Sequence, residues 1–287
     1  MIAVGQLAPG DQWDHALLDD LFDNRLYPTG LRFTRIAGYP NTDGAVLIIP
    51  GRYWHEHTAD ITAAIAHYQW VVAILTGDEE SLFDHTAIKH SNLRWWIQSP
   101  RTGRDYSDAR FFGVGYTPHC ARHDDSPPTK NLDLFLAAQR THHRRDLAFS
   151  ALEQVRLPHV MVHSTDGFSR GLPAPAYAAA MTSAKVAPAP AGPATPDTFR
   201  VYEALQSHAV PIADDVTPGY DSAGFWRRVF PDAPFPVLTD YVTLGVHVEH
   251  TVATWPMMAN RVAAWWIRQK RRYAHWLTDD LNALGAL

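Results

Sequence analysis

The chain has 287 residues, 46% of them hydrophobic and 19% charged, with a formal charge of -5 and one cysteine, Cys120. That length and apolar content suit two compact α/β domains and exclude gross disorder. The charge excludes a polycation, so any nucleic-acid contact must come from a local patch, and one cysteine excludes an internal disulfide framework and fits a reducing, cytoplasmic compartment.

The opening residues, MIAVGQLAPGDQWDH, lack a basic start followed by a long apolar run, so no signal peptide is expected. No stretch approaches the roughly 20 apolar residues of a membrane span. GAVLIIPG (44–51) reads as a buried strand, RYWHEHTADITAAIAHY (52–68) as a helix and WVVAILTGD (70–78) as the next buried strand. LRWWIQSP (93–100) and ARFFGVGY (109–116) are further β-rich runs. The alternation predicts a parallel sheet. Residues 117–130, TPHCARHDDSPPTK, are polar and Pro-rich and read as a linker.

A second alternation follows: strand 132–139, helix 142–155, strand 159–165, helix 175–184, strand and loop 185–192, helix 196–209 with Asp197 as N-cap, and VPIADD (210–215) as the last clear strand. The end of the chain reads as long helix, with Pro256 breaking or starting it. The expected domains are 1–125, 126–255 and a C-terminal helical segment, 256–287.

Residues 184–215 carry the most functional information. A strand, a Pro/Gly loop, a helix bearing Arg200 and Glu203, and a strand ending in acids point a helix N-terminus and a carboxylate at the carboxyl edge of a parallel sheet. That arrangement suits a phosphorylated, ribose-bearing ligand. Arg200 falls in the first turn, near the positive end of the helix dipole, and Gly192 lets backbone approach phosphates closely. Arg200 and Glu203 can equally form an ordinary i,i+3 surface ion pair.

The segment also resembles the donor-binding segment of GT-B glycosyltransferases, especially the exostosin-like group. The pattern there is a strand, a small-residue loop, Ser/Thr-x-Arg-x-x-Glu-Ala-Leu, then a Val-Pro-Ile strand. This chain has Thr198, Arg200, Glu203, Ala204, Leu205, then Val210, Pro211, Ile212. The resemblance covers residues 130–215 and is diffuse over the N-terminal half. It implies an α/β fold of two Rossmann-like domains facing a cleft, with the C-terminal helix crossing back to the N-terminal domain. It also implies a nucleotide-sugar donor, with UDP as the expected nucleotide. Glu203 would then hold the ribose, and a basic residue after the first strand of the second half the diphosphate: Arg140 first, Arg144 and Arg145 as alternates. His163 and Ser164 would edge the base pocket. No Asp-x-Asp follows a strand, so no essential metal or other cofactor is expected.

Direct displacement at an anomeric carbon needs a base on the acceptor hydroxyl. Asp78, Glu79 and Glu80 directly follow a strand, where α/β sheets bind ligands. Asp78 or Glu79 is the expected base, with His55 as a further candidate; the same acids also read as a solvated helix start. Gly115, Tyr116 and Thr117 would line the acceptor pocket. RWWIQSPRTGRDY (94–106), with Trp95 and Trp96, and WWIRQKRRY (265–273) mix basic and aromatic residues. Such mixtures suit DNA, including a hydroxymethylated pyrimidine extruded for glycosylation as in viral DNA modification. A saccharide acceptor stacking on the tryptophans explains them too, and so does core packing. A non-catalytic nucleotide-sugar or nucleic-acid binding module on the same fold is the alternative from another class. Oligomeric state is not legible.

Most other chemistries lack their motifs. His119, Cys120 and His123, and His247 with His250, give no full metal ligand set. No P-loop and no G-x-G-x-x-G opening a helix occurs, which disfavours a P-loop enzyme and a dinucleotide oxidoreductase; one G-x-S-x-G does occur, Gly167-Phe168-Ser169-Arg170-Gly171, so the motif does not exclude a hydrolase.

Overall fold

The computed structural model describes residues 1–8, 16–121, 126–165, 167, 170–219 and 221–287. They form two compact units: residues 1–114 with 268–287, and residues 115–267.

The first unit holds a parallel sheet of β1 (Ile2–Gln6), β2 (Phe33–Ala37), β3 (Gly44–Pro50), β4 (Trp70–Thr76), β5 (Leu93–Ile97) and β6 (Ala109–Phe111), in the order β2-β1-β3-β4-β5-β6. β3 and β4 are buried almost throughout, because a parallel sheet is covered on both faces. Helix α1 (Ala16–Phe22) links β1 to β2, and α2 (Gly51–His67) links β3 to β4. The sequence reading missed β1, α1 and β2, whose five- to seven-residue runs are too short to show a period. The β4–β5 connection carries only a 3-10 turn, His85–Ala87, and the β5–β6 connection no described helix. Arg104 joins the two connections, donating to the carbonyls of Ser81 (2.9 Å) and Phe83 (2.8 Å).

The second unit repeats the architecture. β7 (Leu132–Gln139), β8 (Val160–Thr165), β9 (Ala184–Ala189), β10 (Val210–Asp214) and β11 (Val237–Leu238) pair in parallel in the order β11-β10-β9-β7-β8. The helices are α3 (His143–Leu152), α4 (Ala174–Ser183), α5 (Phe199–Gln206), the short α6 (Phe225–Val229), and α7 (Leu244–Ala253). The alternation of β7 feeds two cores. Leu134, Leu136 and Ala138 pack with Ala148, Phe149, Leu152, Leu244 and Val248, on the side of α3 and α7. Phe135 and Ala137 pack with Met181, Ala204 and Ala209, on the side of α4 and α5. This is a doubly wound sheet.

Helix α8 (Trp255–Ala283) contributes residues 255–267 to the second unit and 268–283 to the first. Pro256 starts this helix; in the first turn its missing N–H costs nothing. The expected linker at 117–130 is partly docked. Its 3-10 turn, Pro118–Cys120, belongs to the second unit, and Lys130 donates to the carbonyls of Thr182 (2.9 Å) and Ser207 (2.7 Å). Among the described residues no helix is long and apolar enough to cross a membrane.

Candidate functional site

In the second unit the strand order turns back at β7, so the connection after β7 leads to α3 on one face and that after β9 to α5 on the other. This is the switch point, where open α/β sheets hold ligands at their carboxyl edge. The pairing shows the opening directly. β7 pairs with β9 through Leu134 and Val186. Beyond that point β7 continues along β8 to Gln139, and β9 along β10 to Ala189. The two central strands therefore separate over their last residues.

Cations fill the gap. Arg145, buried, donates Nε to Ala191 O and Nη1 to Gln139 O, both at 3.0 Å, tying the two loops together. His142 Nε2 contacts Ala191 O at 3.1 Å. Burial depresses the His142 pKa, with Arg145 and Arg144 pushing the same way and Asp214 and the Ala191 bond opposing. Arg200, half-buried in the first turn of α5, donates Nε to Ala137 O of β7 at 2.9 Å. No ion pair joins Arg200 to a carboxylate among the described residues. Glu203 is instead buried, taking Thr117 Oγ1 at 2.8 Å and the Tyr177 hydroxyl at 2.6 Å. The expected ribose ligand thus has both oxygens occupied inside the unit, and the alternative Arg200–Glu203 surface pair is not formed.

The other expected donor residues divide by role. Arg144 bonds Asp214 at 2.6 Å and stacks over Tyr241. Asp214, fully buried, also accepts from the Tyr241 hydroxyl and from the amides of Ala191 and Val216. Arg140 is exposed, pairs with Asp146 at 3.3 Å, donates to Ser164 Oγ at 3.2 Å and lies over Phe149. His163 and Ser164 are inside β8 on opposite faces, so they do not share a pocket. At Gly192 a side chain would press on Thr195 O at 3.2 Å, which fixes the tight loop. Thr198, not Asp197, is the N-cap of α5; Asp197 accepts from Tyr202 Oη at 2.6 Å.

Sequence reasoning could not see which polar atoms the fold leaves over. Thr198 Oγ1, His142 Nδ1 and Arg144 Nε are buried without a hydrogen-bond partner, and all three lie on loops or first turns at this carboxyl edge. Buried polar atoms normally find partners, so their clustering marks a place where a ligand or water belongs.

The carboxyl edge of the first unit shows a related pattern. Asp78 is buried after β4, its oxygens accepting from the amides of Leu82 (2.9 Å) and Phe83 (3.1 Å). Burial raises its pKa, although those two amides and His55 oppose the shift. Glu79 and His55 are exposed. Gly51 opens α2 against this turn; a side chain there would lie 3.2 Å from Gly77 O. Gln98 accepts from the Gly77 amide at 2.9 Å and donates to Gly113 O at 3.4 Å, holding three loops. Thr76 Oγ1 and Ser99 Oγ are buried without partners, and Ser99 adopts a left-handed φ of 49°.

The expected acceptor residues are core. Trp95 and Trp96 are 3% and 0% exposed, and their indole N–H groups go to Ile88 O and Asp280 Oδ2, so neither ring offers a face to a base or sugar. Gly115 and Tyr116 do not end a strand: β6 stops at Phe111, and Tyr116 is fully buried. Trp265 and Trp266 pack among Tyr202, Phe230 and Phe235. Cys120 is buried and its thiol pKa is pushed up, chiefly by burial and further by Glu203. Among the described residues no three His, Cys, Asp or Glu side chains come together to hold a metal ion; His123 lies outside those residues.

No protein-family model matches the chain. No curated protein matches it either.

Proposed function

We propose that the chain is a glycosyltransferase of GT-B type that takes a nucleotide-sugar, with UDP the expected nucleotide, and transfers the sugar to a hydroxyl acceptor. The supporting observation is Arg200, a half-buried guanidinium between the separated ends of β7 and β9 that forms no ion pair among the described residues. A cation in that position calls for an anion. The leaving diphosphate of a nucleotide-sugar supplies one, and its charge grows as the glycosidic bond breaks. The first turn of α5 and the Thr198 hydroxyl add uncharged donors on the same edge.

In this reading Arg200 and Arg140 hold the diphosphate, and Arg144 and Arg145 build the loop rather than touch the ligand. Glu203 braces α4 and α5 from below. The acceptor base belongs to the carboxyl edge of β4, where Asp78, Glu79 and His55 are the titratable groups. Asp78 is committed to its turn, which leaves Glu79 and His55 as the exposed candidates. The acceptor is a hydroxymethylated pyrimidine in DNA or a saccharide, and the buried tryptophans favour neither. The catalytic apparatus in this reading uses no metal.

The test is a thermal-shift screen of the native protein and Arg200→Gln against UDP, GDP, ADP and their sugar conjugates. A selective rise in Tm that Arg200→Gln abolishes supports the donor site. The absence of any shift in the native protein sinks it.

A further inference from the structure

The first unit carries a groove of about 530 Å³ at the amino ends of β5 and β6, opposite the carboxyl edge. Lys89, His90, Arg94, Asp108, Arg110 and Asp280 supply its charged and titratable lining. Its charges do not balance internally. Asp280 is consumed: Oδ2 accepts from Trp96 Nε1 at 2.8 Å, and Oδ1 from Arg110 Nη2 at 3.1 Å. Arg110 is in turn held over the Trp276 ring. Asp108 bonds buried His85 at 2.9 Å. Lys89 and Arg94 are left over, and neither forms an ion pair among the described residues. Arg94 is half-buried, and its one hydrogen bond given by the structure goes to the carbonyl of its neighbour, Leu93, at 2.8 Å. Asp105 feels the charge of Lys89 but does not pair with it.

A half-buried guanidinium without a counter-charge is costly unless something anionic offsets it. The groove has the volume of a small-ligand pocket. Serine hydroxyls at positions 91 and 107 add neutral donors to its wall. We infer that this groove binds a phosphate-bearing ligand, with Arg94 as the forked donor and Lys89 as the second cation. Arg is suited to this because its planar fork matches two phosphate oxygens at once. The phosphates can belong to a free phosphorylated compound or to a polynucleotide backbone. The inference stands independently of the glycosyltransferase reading, whose residues lie at the other end of the sheet or in the second unit.

The test is isothermal titration of the full chain with pyrophosphate and, separately, with a ten-nucleotide single-stranded DNA. The proteins compared are native, Lys89→Gln, Arg94→Gln, Arg94→Lys and Arg200→Gln. The expected result is a site retained in Arg200→Gln and weakened about tenfold in Arg94→Gln, the cost of a lost charged hydrogen bond. Lys89→Gln, at an exposed position that the fold does not need, should weaken the same site, and Arg94→Lys should recover part of it. Binding of pyrophosphate alone assigns a free phosphorylated compound, and binding of the oligonucleotide with the same losses assigns a backbone. No binding of either probe, or a site indifferent to Arg94→Gln and Lys89→Gln, overturns the inference. Loss of pyrophosphate binding only in Arg200→Gln would also overturn it, while leaving the donor site standing.

Discussion

The Tyr177 hydroxyl donates to Glu203 Oε2 at 2.6 Å, joining α4 to α5 beneath the sheet of the second unit. Thr117 occupies the other oxygen, and burial followed by the Glu203 charge pushes the Tyr177 pKa up, so the phenol stays a donor. Glu203→Ala should therefore lower unfolding stability by about 1–3 kcal/mol, because two half-buried hydroxyls lose a charged acceptor. Nucleotide affinity should change little. Urea denaturation and nucleotide titration of the same variant check both halves. A loss of nucleotide affinity at unchanged stability would return Glu203 to the ribose.

Asp214 is the polar hinge of the carboxyl edge, receiving Arg144, Tyr241 and two backbone amides while fully buried. Removing one partner of a buried ion pair strands the other. Asp214→Ala should cost about 3–5 kcal/mol and release the loop at Ala191. Asp214→Asn keeps an acceptor and should cost less. The denaturation midpoints of the two variants give the comparison, and equal, small losses would contradict the burial argument.

Three of the strands that sequence revealed have a strong apolar pattern over seven or eight residues. GAVLIIP, WVVAILT and LDLFLAAQ fall where β3, β4 and β7 lie. The carboxyl-edge position of the loops follows from that alternation alone. What sequence could not decide was burial. RWWIQSP reads the same whether its rings stack on a ligand or fill a core, and contacts with residues far along the chain, such as Trp96 with Asp280, settle it. Thr-x-Arg-x-x-Glu likewise does not say that Glu203 will meet Tyr177, or that Arg200 will reach across to β7. Asp197 has the chemistry of an N-cap, yet Tyr202, five residues on, takes its carboxylate.

Ser99 sits at φ 49° directly before Pro100, fully buried, with its hydroxyl unsatisfied. A left-handed conformation costs a non-glycine residue roughly 1–2 kcal/mol, and the proline ring restricts it further. Ser99→Gly removes both the strain and the stranded hydroxyl, offset by about 0.5–1 kcal/mol of added chain entropy in the unfolded state. The variant should match or exceed the native Tm. If it also loses turnover, the strain is kept for function; a clearly lower Tm would show that the side chain carries packing not visible as hydrogen bonds.

His142 provides a pH signature for the second unit. Its pKa is depressed in the folded chain, first by burial and then by Arg145 and Arg144, relative to the ordinary 6.5. As pH falls below 6.5 the unfolded chain takes up the proton before the native one does. Stability is then lost progressively until the folded pKa is passed. His142→Gln cannot take up that proton, so its stability should fall less between pH 7.5 and pH 5 than that of the native protein. The difference between the two unfolding free energies, measured by urea denaturation at several pH values, isolates the group. Asp78, with a raised pKa, acts in the opposite sense: its contribution is fully present below the ordinary 3.8 and is lost as pH rises through its folded value. The two signatures therefore have opposite signs. A native-minus-variant difference that stays flat from pH 7.5 to 5 would place His142 in water rather than against Ala191.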